Sequence, residues 1–250
     1  MSSGIFPLLV LNGRPAAGKS EIIDALRSVP DEERRRRFHI GTMEEFDDFP
    51  ILWDHFEDDD LRESHGQARL VSETSFVFEG QRYPGYVFKD RYFWRFLVAK
   101  ICRMYEKRLR QVPRYHERTT AVFEFARGTE HGGLAEAYRS LSDAVLSRAA
   151  TIYVRVGWEE SCRRNQRRRN PERPDSILEH SLEQKKMEML YRGSDWEAIS
   201  SGDPGYLTVW NHRVPYVIFE NEPEKTHERD LLLNHLETIC NRLWRLRRGD

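Results

Sequence analysis

The chain has 250 residues, 39% of them hydrophobic and 12% aromatic, which gives ample material for a packed core and excludes a disordered chain. Forty basic and forty-one acidic residues leave a formal charge of −1, so no global field gathers nucleic acid or an anionic membrane. The signs are nevertheless uneven: Glu44 to Asp60 holds nine carboxylates and no Lys or Arg, whereas Arg163 to Arg173 holds six arginines and one acid, Glu172.

In chain order, Ile5 to Asn12 is a short apolar run that predicts a strand, and the apolar spacing of Ile22, Ile23, Leu26 and Val29 predicts a helix over 20–29. A second strand is expected at Arg37 to Gly41, followed by the acidic stretch. Residues 54–89 read as an insertion on the acceptor side, with a hairpin around Phe76 to Phe78 and Tyr86 to Phe88, punctuated by Gly80 and Pro84-Gly85. Helical stripes follow at Phe93, Leu97, Ile101 and Met104, and again at Leu134, Tyr138, Leu141 and Val145. Between and beyond them lie strands at Thr119 to Phe125, Thr151 to Val156 and Val214 to Glu220. Residues 158–192 predict an arginine-rich helical lid that turns at Asn170-Pro171 and resumes near Ser176. The glycine- and proline-containing stretch 193–213 is loop-rich, with Tyr206 to Trp210 as an extra edge strand, and Leu232 to Leu246 closes the chain as a helix. The expected fold is one α/β domain over 1–250 with a doubly wound, mostly parallel, five-stranded sheet.

Cys102, Cys162 and Cys240 have neither disulfide-framework nor zinc-site spacing, and a reducing compartment fits them. No leader and no apolar run of about twenty residues is present, so no membrane association is expected and the cytoplasm is the expected location.

The sharpest motif is Gly13-Arg14-Pro15-Ala16-Ala17-Gly18-Lys19-Ser20, which matches GxxxxGK[ST] between a predicted strand and a predicted helix. Glycines let backbone N–H groups wrap a phosphate beside the positive helix end. Lys19 is expected on the β- and γ-phosphates of ATP, and Ser20 on Mg²⁺. A guanine-type NKxD and a DxxG after a strand are both missing, which disfavours a switch GTPase.

These residues, with Glu124-Phe125-Ala126-Arg127 at the end of the third strand, resemble the nucleoside and nucleotide kinase group of P-loop proteins. The resemblance implies that Glu124 binds Mg²⁺ or orients the acceptor and that Arg127 forks onto phosphate oxygens; a surface ion pair is the plain alternative. It implies a lid in which Arg163, Arg164, Arg167, Arg168 and Arg169 supply charge at the transferring phosphoryl group, with Arg164 and Arg168 on one face. A solvated face or a nucleic-acid patch is the alternative there. It also implies a proton-accepting carboxylate among Glu44, Glu45, Asp47 and Asp48, with Asp48 named as the catalytic candidate, although a run of acids is often merely solvated. Arg91, Tyr92, Trp94 and Arg95 are expected to line the acceptor pocket or to pack in the core, and Asn221-Glu222-Pro223 to edge the adenine site or to cap the last helix. The expected function is transfer of the ATP γ-phosphoryl group to a small acceptor such as a nucleoside or nucleotide. Its rivals are an RNA-end kinase, which the neutral charge disfavours, and a nucleotide sensor that transfers nothing.

Overall fold

The computed structural model describes residues 4–168 and 182–249. Its centre is a six-stranded, mostly parallel sheet in the order β2-β5-β1-β6-β8-β7, formed by β1 (Leu8–Gly13), β2 (Thr42–Asp47), β5 (Thr119–Phe125), β6 (Ala149–Arg155), β7 (Tyr206–Val209) and β8 (His212–Glu220). Only β7 runs antiparallel, paired to β8 at one edge. β1 lies between β5 and β6 and is buried at every position, which is why its sequence is apolar on both faces.

Helices cover both faces. On one, α1 (Lys19–Arg27), α2 (Asp31–Phe38) and α10 (Arg229–Arg248) bury Ile22, Phe38, Leu236 and Leu243 against Leu9, Ile152 and Phe219. On the other, α4 (Tyr92–Gln111), α5 (Gly133–Arg139), α6 (Asp143–Leu146) and α9 (Trp196–Ser200) pack Ile101, Tyr138, Val145 and Trp196 on Phe123, Tyr153 and Tyr216. Each core therefore takes alternate residues of the same buried strands.

The expected second strand is misplaced. Residues 37 and 38 end α2, whose acidic first turn and basic last turn complement the helix dipole, and the strand begins at Thr42. Arg34 fixes this turn of chain by donating to Gly41 O and Val29 O, both at 3.0 Å. The acidic stretch is thus β2 followed by α3 (Asp48–Ser64), and the sheet gains β7 as a sixth strand. The expected edge strand at 206–210 does form, over Tyr206–Val209.

Only the later part of the 54–89 insertion is a hairpin, β3 (Ser72–Phe78) with β4 (Gln81–Phe88). Asp59 latches it to α3: its carboxylate accepts from the N–H groups of Leu70, Val71 and Ser72 at 2.7–2.9 Å and from Ser72 Oγ at 2.7 Å. Those donors hold the Asp59 pKa down at about 2 despite burial. The helix expected over 134–145 is divided at Ser140 to Ser142 into α5 and α6. Of the expected lid, α7 (Trp158–Arg167) and α8 (Gln184–Tyr191) are described. Arg169, the turn at Asn170-Pro171 and the helix start near Ser176 lie outside the described residues.

Candidate functional site

The loop between β1 and α1 is a tight wrap held from several sides. Ala17 N donates to Arg14 O at 3.3 Å, and Gly18 enters α1 at φ 105°, where a side chain would be strained. A Cβ on Gly18 would also lie 2.6 Å from Asn221 Nδ2. The closeness has a cause: Asn221 Nδ2 donates to Ala17 O at 2.7 Å, so the segment after β8 braces the loop. From α7, Ser161 Oγ donates to Pro15 O at 2.7 Å, and at the end of α8 Tyr191 O accepts from Arg14 Nη1 at 2.7 Å.

Pro15 to Ser20 form one wall of a cavity of about 820 Å³ at the carboxyl ends of β1, β2 and β5. Lys19 Nζ donates to Arg14 O at 3.2 Å and lies 3.7 Å from Glu124 Oε1. Parallel register sets Asp47 beside Glu124 on the neighbouring strand. Burial first, and then the Glu124 charge, push the Asp47 carboxyl up to about 7, although it caps α3 by accepting from Phe49 N at 3.0 Å. Glu124 is raised as well, by burial against the pull of Lys19. Asp48, the next residue, sits in a buried ion pair with Arg127.

Arg127 is held on several sides: it donates to Asp48, to Trp94 O at 3.1 Å and to Ala126 O at 2.7 Å, with its guanidinium over the Trp94 ring. No group of three or more His, Cys, Asp or Glu with metal-binding geometry occurs among the described residues. The Ser20 hydroxyl and the Glu124 carboxylate are hard oxygen donors that fit Mg²⁺ when phosphate and water complete the shell.

Away from the loop the cavity becomes aromatic. Leu52, Trp53 and Phe56 of α3, Phe76 and Tyr86 of the hairpin, and Trp94 of α4 line this arm. The rings brace one another: Phe56 stacks on Tyr86 at 5.2 Å, and Trp94 on His131 at 3.7 Å. Burial and the nearby Arg127 charge hold the His131 pKa well below its ordinary value, so the ring is neutral. α8 closes the arm with Lys186, Met189, Leu190 and Tyr191. Its approach depends on Gly128, where a Cβ would lie 1.9 Å from Leu190 O.

The expected site residues separate into those at the cavity and those elsewhere. Lys19, Ser20, Asp47, Asp48, Glu124, Arg127, Arg168, Arg91 and Trp94 line it, and Arg168 pairs with Glu21. Glu44 and Glu45 do not: Glu44 accepts from Arg108 at 2.6 Å and Tyr115 at 2.9 Å, and Glu45 pairs with Arg27. Arg164 is buried away from it, donating to Glu160 Oε1 and to Asn221 O, both at 2.6 Å. Arg164 and Arg168 therefore do not act on one target, and Arg163 and Arg167 face Glu160 and Glu224 on the outside. Arg95 pairs with Glu136, and Tyr92 is exposed. The α3 aromatics and Lys186 escaped the sequence reading. Phe49, Leu52, Trp53 and Phe56 do carry the i, i+3, i+4, i+7 signature of a helix face, hidden among acids.

No family model matches this chain, and no curated protein does. A solved structure described as "Crystal structure of APE1195" aligns over 96% of this chain and 98% of that chain, at 14% identity and a TM-score of 0.39. A likeness of that degree carries no argument about fold or activity. Among the described residues no helix is long and apolar enough to cross a membrane.

Proposed function

We propose that the protein is a P-loop phosphotransferase that moves the γ-phosphoryl group of ATP to a hydroxyl of a small molecule. The observation that carries this reading is the Gly13–Ser20 loop, which joins the buried strand β1 to α1 and whose Pro15–Ser20 part shares one cavity with carboxylates at the ends of β2 and β5. A glycine loop before a helix N-terminus suits a polyphosphate, with Lys19 and Arg168 adding positive charge. Ser20 and Glu124 are the residues that would hold Mg²⁺, which when bound offsets phosphate charge.

In the reaction so read, the acceptor oxygen attacks the γ-phosphorus, the bond from that phosphorus to the bridging oxygen breaks, and ADP leaves with the bonding pair. The hydroxyl proton passes to a carboxylate. Asp47 suits this role better than Asp48, because Asp48 is held by Arg127 within the wall whereas Asp47 has a pKa near neutrality and no cationic partner at bonding distance among the described residues.

Purified protein given γ-labelled ATP and pooled hydroxyl compounds tests the reading. Label transfer is expected from the parent and not from Lys19→Ala, with circular dichroism unchanged between them. Equal transfer by both proteins removes the loop from the mechanism. In parallel, ATP with Mg²⁺ raises the parent's thermal midpoint by mass action. A thermal shift without transfer to any pool would favour a nucleotide sensor.

A further inference from the structure

We infer that the acceptor is a ring-bearing hydroxyl compound with a single carboxylate, anchored by Lys186, rather than a nucleoside or nucleotide. The inference rests on the phosphotransferase reading for its hydroxyl, and on the aromatic arm of the cavity for everything else.

A nucleotide acceptor requires a cationic grip on its phosphate, usually from forked guanidinium groups. Among the described residues the arm has one inner arginine, Arg127, and its charge is already paired with Asp48 while it also donates to two backbone carbonyls. Arg91 stands exposed and is paired with Glu136 at 3.1 Å. A nucleobase requires side chains that both give and accept hydrogen bonds along its edge. Among the described lining residues there is no glutamine and one asparagine, Asn165, whose amide is used at both ends by the Leu182 backbone, at 2.8 and 3.1 Å. Beside Glu73, Ser75, Lys89 and Glu130, the lining offers flat aromatic surface, which holds a ring by stacking and apolar burial.

Among the described residues, one cation of this arm has no bonded anion. Lys186 lines the cavity from α8, its stem packed near Gly85 of the hairpin and its ammonium 5.9 Å from the centre of the Phe56 ring. Among the described residues no carboxylate or carbonyl lies at bonding distance from that ammonium, and burial pushes its pKa down to about 8. Its neighbour Lys185, by contrast, pairs with Glu188 at 3.2 Å. His131 adds a second unused donor. Its Nδ1 accepts from Gly128 N at 3.3 Å, which leaves the ring proton on Nε2, a buried atom with no hydrogen-bond partner. A desolvated ammonium over an aromatic wall gains most from one anionic group, because that group supplies the missing charge-assisted hydrogen bond.

Calorimetry on the full chain tests this with para-hydroxyphenylacetate and salicylate, the neutral amide of each, uridine and uridine monophosphate. The expected result is that at least one acid binds about tenfold more tightly than its own amide, as for a hydrogen bond to a charged group. Neither uridine compound is expected to bind as tightly as that acid. Lys186→Met removes the preference for acid over amide and leaves amide binding unchanged, whereas Lys186→Arg keeps it. The inference is overturned if both amides match their acids, if neither acid binds at millimolar concentration, if uridine or its monophosphate binds more tightly than both acids, or if Lys186→Met retains the preference. ATP is titrated into the same samples: parent protein that prefers the acid yet binds no ATP would sink the phosphotransferase reading and leave the anchor standing.

Discussion

Asp47 and Asp48 are adjacent and chemically identical, yet their surroundings give them different chemistry. Asp48 is neutralised by Arg127 and serves the wall, whereas Asp47 stands beside Glu124 with a pKa of about 7. Asp47→Asn is therefore expected to lower kcat by roughly 10²–10⁴-fold, the range for loss of a general base, with ATP binding near normal. In the parent, kcat/KM is expected to rise with pH through about 7 as the free carboxylate forms. The sign for stability is the reverse. A carboxyl raised from its unfolded value binds its proton more tightly when folded, so the parent loses stability as pH rises from about 4 to about 7. The amide variant escapes that loss, and its thermal midpoint relative to the parent increases over this interval and stays constant above it. Equal pH dependence of melting in the two proteins would show that Asp47 is not the perturbed group.

At the scale of elements, α7 divides the labour of its arginines by face. Arg164 clamps the segment after β8, whose Asn221 in turn braces the Gly13–Ser20 loop, while Arg168 reaches the cavity at the end of the helix. Arg164→Ala leaves Asn221 O without its buried donor, and a loss of about 2–4 kcal/mol in unfolding free energy is expected in denaturant titration. Arg168→Ala, exchanging a half-exposed pair with Glu21, is expected to change stability by less than about 1 kcal/mol and to lower kcat more than it raises KM for ATP. Equal destabilisation by the two would contradict the division. The sequence showed the i, i+4 spacing of these residues but not their distant partners, because the Arg164–Asn221 and Arg168–Glu21 contacts join segments far apart in the chain.

For the whole molecule, near-neutral charge and local pairing point the same way. The arginines of α7 and the residue after it, Arg163, Arg164, Arg167 and Arg168, each meet a carboxylate, so the basic run makes no free stripe for a nucleic-acid backbone among the described residues. Labelled single-stranded RNA is accordingly expected to bind in anisotropy titrations no more tightly than about 10⁻⁴ M at physiological salt. Micromolar binding that weakens steeply with added salt would favour the RNA-end kinase instead.

The sequence alone determined the strand–loop–helix at Gly13 to Ser20, the alternation that makes a mostly parallel sheet, and the hairpin after residue 70, because each is written in local periodicity and turn residues. It misread Arg37 to Asp60, where charge density masked a helix, a strand and a second helix, and it named Asp48 as the catalytic candidate without the surroundings that set Asp47 and Asp48 apart. Tertiary structure decided those points. Parallel register brings Asp47 beside Glu124 from a distant strand, and the packing of α8 against Gly128 delivers Lys186 to the aromatic wall. A pKa and an unpaired charge are properties of what surrounds a group, and the surroundings here come from distant segments that no local pattern names.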